Sequence, residues 1–276
     1  MRVSVILAVL AAFISAGATE YEYVPLVREG VQWFYLNETA YPGIQYSEPR
    51  VDVYEIIGDS VVNGVSYKKV VNHNWGMSYI VRLIREEDQK VYILSDGRYY
   101  CGIDYNLQTG ETLIYDFSRD GAGYDNIFSK FYARFIEINE SLRWAYYFHP
   151  WYEYNGYDPD SPDIIEGIGM IHDYAPFFNP SDGTVPEDDS QYNLSHVIEN
   201  GEIVYKTKYF NDYEYFMNTG KALSYYDVNG DHSLNVADVS ALYSIILNDS
   251  RFIDINGDNK MNVADVSALY SNILGN

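Results

Sequence analysis

The stretch "YYDVNGDHSLNVADVSALYS" occupies residues 225–244, and "FIDINGDNKMNVADVSALYS" occupies residues 252–271. A repeat this close to identity constrains the fold more than any other feature of the chain, because both copies must adopt one local structure. Asp227 recurs as Asp254 and Asp238 as Asp265, an offset of 27 residues each time. Oxygen-bearing side chains fall at positions 1, 3, 5, 9 and 12 of each copy. They are Asp227, Asn229, Asp231, Asn235 and Asp238, then Asp254, Asn256, Asp258, Asn262 and Asp265. Alternate residues of a tightly wound loop aim at one centre, and about six to eight oxygens around a centre are what a hard divalent cation takes.

In such a loop position 7 offers its backbone carbonyl, so Ser233 and Lys260 can differ in side chain there. Position 12 is Asp instead of the usual Glu. Position 6, where glycine normally permits a left-handed turn, is His232 in one copy and Asn259 in the other. Asn tolerates that conformation better than His, so the first loop is the expected weaker site. The pattern predicts one calcium ion per loop, two in all, with order lost when a loop is emptied.

Behind the loops, apolar residues fall at Val236, Val239, Leu242, Tyr243, Ile246 and Leu247, and again at Val263, Val266, Leu269, Tyr270, Ile273 and Leu274. These spacings trace one helical stripe per copy. The unit reads as loop then helix, twice, with the two helices burying matched stripes against each other. No helix is expected immediately before either loop, because residues 220–226 and 248–253 are too few.

Residues 227–274 resemble a dockerin module of the first type. The resemblance implies that the ten side chains above ligate calcium and that the module plugs an exported protein into a cohesin-like domain of a scaffold. It also implies that the two halves bind such a partner in either of two orientations. Partner choice in that family lies at positions matching Val236, Ala237, Tyr243, Ser244 and Asn248, and Val263, Ala264, Tyr270, Ser271 and Gly275. Basic residues frequent there are replaced by Tyr-Ser. Periodicity also places Val236 and Tyr243 on the core stripe, so packing and partner contact stay equally open for them, whereas Ser244 and Ser271 lie off it; Ala237, Ser244, Asn248, Ala264 and Ser271 are the contact candidates among the positions the resemblance implies.

The other end carries Arg2, an apolar run over residues 3–13 and Ala16-Gly17-Ala18, the pattern of a signal peptide over residues 1–18. The expectation is a secreted protein, released or held at a cell surface through a scaffold. No later run approaches the length of a membrane-spanning helix. A net charge of −22, from 40 acidic and 18 basic residues, argues against nucleic acid as a partner. The single cysteine, Cys101, reads as a structural thiol without a disulfide partner.

Residues 19–216 have a different texture, rich in the chain's 30 tyrosines. Alternating patterns predict strands over 51–57, 66–71, 79–84, 90–94, 112–117, 133–138, 143–148 and 202–209, with turns at Asn63-Gly64, Asp96-Gly97, Thr109-Gly110 and Asn200-Gly201. The fold class is therefore an all-β domain, sandwich or open meander, followed over 217–276 by a small all-α, EF-hand-like domain. The phrases "VREG", "IREEDQKVY", "LIYDFS", "IEGIG" and "ENGEIVY" resemble a family of uncharacterised exported bacterial proteins, which implies a β-rich extracytoplasmic domain and no particular chemistry.

A glycoside hydrolase is the alternative for this domain, since dockerins are usually carried by such enzymes. The histidines His73, His149, His172 and His196 show no metal-ligand spacing, and no nucleophile elbow or phosphate-cradling loop is present. A hydrolase would need two facing carboxylates, which spacing alone does not identify. Glu166, between apolar residues and glycines, reads either as a carboxylate whose setting perturbs its pKa or, the favoured expectation, as a solvent-facing strand-end carboxylate. Aromatics over 144–157 offer either core or a stacking platform for polysaccharide.

Overall fold

The structure, a computed structural model, describes residues 21–38, 40–45, 48–74, 77–95, 98–107, 113–116, 125–128, 131–148, 162–171, 191–248 and 250–275. The expected signal peptide, the predicted turns at Asp96-Gly97 and Thr109-Gly110, His149, His172 and residues 149–157 of the aromatic stretch lie outside these residues.

The strands run in chain order as β1 (Val31–Glu38), β2 (Ala40–Tyr41), β3 (Ile44–Gln45), β4 (Arg50–Val62), β5 (Val65–Asn74), β6 (Met77–Glu87), β7 (Lys90–Ser95) and β8 (Arg98–Asp104). Then come β9 (Leu113–Asp116), β10 (Asp125–Phe128), β11 (Phe131–Ile138), β12 (Ser141–Phe148), β13 (Ile164–Ile165), β14 (Gly169–Met170), β15 (Gln191–Glu199) and β16 (Glu202–Lys206). One sheet has eight antiparallel strands in the order β16-β15-β1-β4-β5-β6-β7-β8, and a second has four in the order β11-β12-β13-β14. The meander from β4 to β8 is a chain of hairpins. β1 differs, pairing with β4 on one side and β15 on the other, and so joins the two ends of the domain.

Both larger sheets feed a single core that includes Trp33, Tyr35, Ile56, Ile84, Ala145, Tyr146 and Ile164. Buried rings satisfy their polar ends on the opposite layer: Trp33 Nε1 donates to the Ile168 carbonyl (2.6 Å) and Tyr35 Oη to the Met170 carbonyl (2.6 Å). Tyr146 and Tyr147, part of the aromatic stretch, are core residues. An N-terminal strap ties the layers together. Glu166 accepts from Val24 N (2.7 Å), Trp144 N (3.2 Å) and Tyr21 Oη (3.0 Å), while Glu86 accepts from Val27 N (2.8 Å) and Tyr23 Oη. Glu166 is thus fully buried and not the solvent-facing carboxylate expected, and burial raises its pKa.

Hairpin turns occur where both central residues take positive φ: Asn63-Gly64 and Asn200-Gly201 as predicted, and also Asp88-Gln89 and Asn139-Glu140. The predicted strand over 202–209 stops at Lys206. Residues 207–209 turn, and a helix that the sequence reading missed follows: α1 (Phe210–Thr219). It lies on the outer face of the large sheet, where Phe210 and Tyr213 meet the His196 ring at centroid distances of 5.1 and 4.7 Å. The tail then forms α2 (Val236–Asn248) and α3 (Val263–Ile273), which share a small second core of Tyr226, Val228, Leu242, Ile253, Ile255, Val266 and Leu269. No helix among the described residues is long and apolar enough to cross a membrane.

Candidate metal centre and docking face

The duplicated loops fold onto one hydrogen-bond plan. In loop 1, Asp227 Oδ1 accepts from Gly230 N (2.8 Å) and Asp231 N (3.2 Å), and its Oδ2 from His232 N (2.7 Å). Asp238 reaches back from the first turn of α2, accepting from Val228 N (2.9 Å) and Asn229 N (3.3 Å) on Oδ1 and from Asn235 N (2.9 Å) on Oδ2. Loop 2 repeats every contact: Asp254 takes Gly257 N, Asp258 N and Asn259 N at 2.7, 3.1 and 2.7 Å. Asp265 takes Ile255 N, Asn256 N and Asn262 N at 2.9, 3.2 and 2.8 Å. Position 6 is left-handed in both, His232 at φ 59° and Asn259 at φ 61°, as the sequence required.

Positions 1 and 12 therefore point inward. Asp227 and Asp254 are 6% and 8% exposed, and Asp238 and Asp265 are fully buried. Positions 3 and 5 (Asn229, Asp231, Asn256, Asp258) stand at the surface, as does Lys260, while Ser233, Asn235 and Asn262 are half-buried. Among the described residues no set of three or more His, Cys, Asp or Glu side chains converges as an ion cage. The third-position amides instead turn to the fifth-position carboxylates, Asn229 Nδ2 donating to Asp231 Oδ2 at 2.9 Å.

The inward residues nonetheless fit a hard cation chemically. Four buried carboxylates are met by backbone N–H groups alone, and among the described residues none of the four lies in an ion pair. Burial pushes the Asp238 carboxyl above the usual range, and the neighbouring charge of Asp227 adds to it. Oδ1 of each accepts two N–H groups and Oδ2 one, so each carboxylate keeps a lone pair free on Oδ2, and the donor set is all oxygen, the type that suits calcium or magnesium. Asp227, Asn229, Asp231, Asn235 and Asp238 with the Ser233 carbonyl would hold one ion. Asp254, Asn256, Asp258, Asn262 and Asp265 with the Lys260 carbonyl would hold the other. A bound ion would supply charge neutralisation and a cross-link between the loop and its helix.

The helices correct one expectation. The predicted stripe splits in two. Its inner part (Leu242, Val266 and Leu269, with Val239, Ile246 and Ile273 partly buried) makes the shared core. Its outer part is exposed: Val236 64%, Tyr243 45% and Leu247 82% on α2, and Val263 61%, Tyr270 47% and Leu274 58% on α3. Spacings of 7 and 11 residues return within about 20° of the same direction on a 3.6-residue helix, so each set of three is a straight apolar ridge. Two helices bury only the sides they turn to each other, and a stripe this wide exceeds that side. Ala237, Ser244, Asn248, Ala264 and Ser271 are all exposed beside the ridges. The Ser271 hydroxyl turns back to the Ser267 carbonyl (3.0 Å) and Asn248 Nδ2 to the Ser244 carbonyl (2.8 Å).

The tail is held against the β domain at two points. Gly43, in the turn between β2 and β3, donates its N–H to the Tyr225 carbonyl (3.0 Å), and a Cβ there would lie 2.5 Å from Asp254 N. Next to it Glu38 accepts from Ser224 N (2.9 Å). At the second point Asp212 of α1 meets His232 of loop 1 (2.7 Å). None of these contacts has a sequence signature, because each joins segments whose proximity only the fold creates.

In the β domain the buried acids are engaged by the fold: Glu166 by the strap, and Asp52 by Asn74 and Arg50. Three side chains the sequence did not connect lie in a row on the outer face of β4, β5 and β6. Glu55 Oε2 is 3.2 Å from His73 Nε2, and His73 Nδ1 is 2.7 Å from Ser78 Oγ. The side chains of His73 and Glu55 are 38% and 28% exposed, so water reaches the row and it reads as surface pairing of cross-strand neighbours. Cys101 is a half-buried thiol raised to about 11 by burial, the environment of an inert residue. No protein-family model matches the chain, nor does any curated protein or any solved structure.

Proposed function

We propose that residues 217–276 are a calcium-dependent docking module of the dockerin type, which binds one ion in each loop and seats the protein on a cohesin-like domain of a scaffold. The β domain is the exported cargo, a binding or structural module with polysaccharide as its candidate ligand. The observation that supports this reading is the duplication in three dimensions: two loops with matching contacts at every ligand-bearing end, each leading into a helix that leaves an equivalent apolar ridge open. An apolar ridge of this kind, repeated and uncovered, is what a partner surface buries.

The test is calorimetric titration of the full chain with calcium, followed by calcium-dependent capture of a cohesin domain. Two binding events with a gain of helical signal, and capture lost in chelator, are expected. A chain that takes up no calcium sinks the reading. Turnover of a polysaccharide by the full chain would instead make the β domain a hydrolase carrying the same tail.

A further inference from the structure

The two loops carry the same ligand types, yet they are not held alike. At position 6 of loop 2, Asn259 enters the left-handed region with only its N–H engaged, and among the described residues its side chain takes no hydrogen bond. Asn visits that region readily; His does so with more strain. His232, at the matching place in loop 1, is braced from outside the repeat. Its Nδ1 lies 2.7 Å from Asp212 Oδ2, its carbonyl accepts from Asn211 Nδ2 (3.1 Å), and its ring stands edge-on to Tyr209 at 4.8 Å. Asp212 is 5% exposed, in the first turn of α1, and Phe210 and Tyr213 anchor that helix on the large sheet. His232 N in turn donates to the first carboxylate of the loop, Asp227 (2.7 Å).

We infer that Asp212 is a positioning residue of the first ion site. By holding His232 it keeps loop 1 in the winding that presents Asp227, a winding loop 2 reaches through Asn259 unaided. This rests on the calcium reading above and extends it: the ion-binding unit begins at α1, and Asp212 of that helix sets the affinity of the first site through a contact that the second loop has no counterpart for. The residue that looked like a weakness of loop 1 is its point of attachment.

The experiment uses the full chain, titrated with calcium while the amide signals of Gly230 and Gly257 report the two loops separately by nuclear magnetic resonance. Asp212→Ala is expected to weaken loop 1 about tenfold, the scale of one unbraced left-handed residue, and to leave loop 2 unchanged. Adding His232→Asn to that variant should restore loop 1, because the loop then matches its twin. Equal affinities in Asp212→Ala and the parent, equal weakening of both loops, or failure of the rescue would each overturn the inference. Should Asp212→Ala not fold, His232→Asn in the otherwise intact chain decides: loop 1 must stay as tight as in the parent, and a loosened loop 1 overturns the proposal. No calcium at either glycine in the parent chain is a different result, which removes the calcium reading and this inference with it.

Discussion

Asp265→Ala tests what the twelfth-position carboxylate does for the fold. Asp265 is fully buried and takes three backbone N–H groups, from Ile255, Asn256 and Asn262, at 2.8–3.2 Å. Alanine leaves all three without an acceptor. A buried donor stripped of its partner costs about 1–3 kcal/mol, and some water will enter the shortened loop, so the loss is put at roughly 3–5 kcal/mol. Asp265→Asn keeps one oxygen but turns an amide donor toward a donor, for a loss of about 1–2 kcal/mol. The tail core is small, seven buried apolar residues, so the larger figure should unfold it. The assay is urea unfolding of the full chain followed by helical circular dichroism in saturating calcium, where the loops are expected to be filled and ordered. The order of stability should be parent, asparagine, alanine. An alanine variant within 0.5 kcal/mol of the parent there would refute the argument, because the hydrogen bonds would then contribute nothing.

Other expectations are sharper in direction than in size. Gly43→Ala adds a Cβ 2.5 Å from Asp254 N at a residue with φ 73°, so it should lower stability by about 2–4 kcal/mol and loosen loop 2 before loop 1, as read from amide exchange. His196 is 3% exposed and burial lowers its pKa from 6.5 to about 4, so it folds neutral. The unfolded chain takes up a proton first, so the contribution of His196 is complete above about 6.5 and declines as pH falls toward 4, by roughly 2–3 kcal/mol. Melting of His196→Phe should lack that slope. Leu247→Asp or Leu274→Asp alone should leave partner capture largely intact and the double variant should abolish it, with stability within about 0.5 kcal/mol of the parent; loss of capture in either single variant would show that the ridges are not equivalent. Glu166→Gln should cost about 2 kcal/mol and speed exchange at Val24, whose amide it holds.

The β texture of the first domain was legible because alternation is local. Seven of the eight predicted strands coincide with observed ones over most of their length, and the eighth is real but ends three residues early. Of the long strands, β1 and β15 went unseen. Trp33, Tyr35 and Leu194 face one layer, but Phe34 and His196 are covered by α1 on the other, which erases the polar half of the alternation. Turns at Asp88-Gln89 and Asn139-Glu140 were missed for want of glycine, since only the pairing strands compel those residues into positive φ. In the tail, residue spacing disclosed both loops and both helices. It did not disclose which edge of each apolar stripe is buried, because a helix with apolar residues over so wide an arc leaves that choice to its neighbour. The bracing of His232 by Asp212 was out of reach, since it depends on where α1 lands.

Because Gly43 and Asp212 hold different loops of the repeat, the tail does not hang from the sheet by a tether. On the docking reading proposed above, two equivalent ridges on a module fixed at its base would turn the choice of ridge into a choice of heading. A partner that engages the α2 ridge and one that engages the α3 ridge would carry the β domain facing different ways, so the same cargo would be displayed in two discrete aspects along one scaffold.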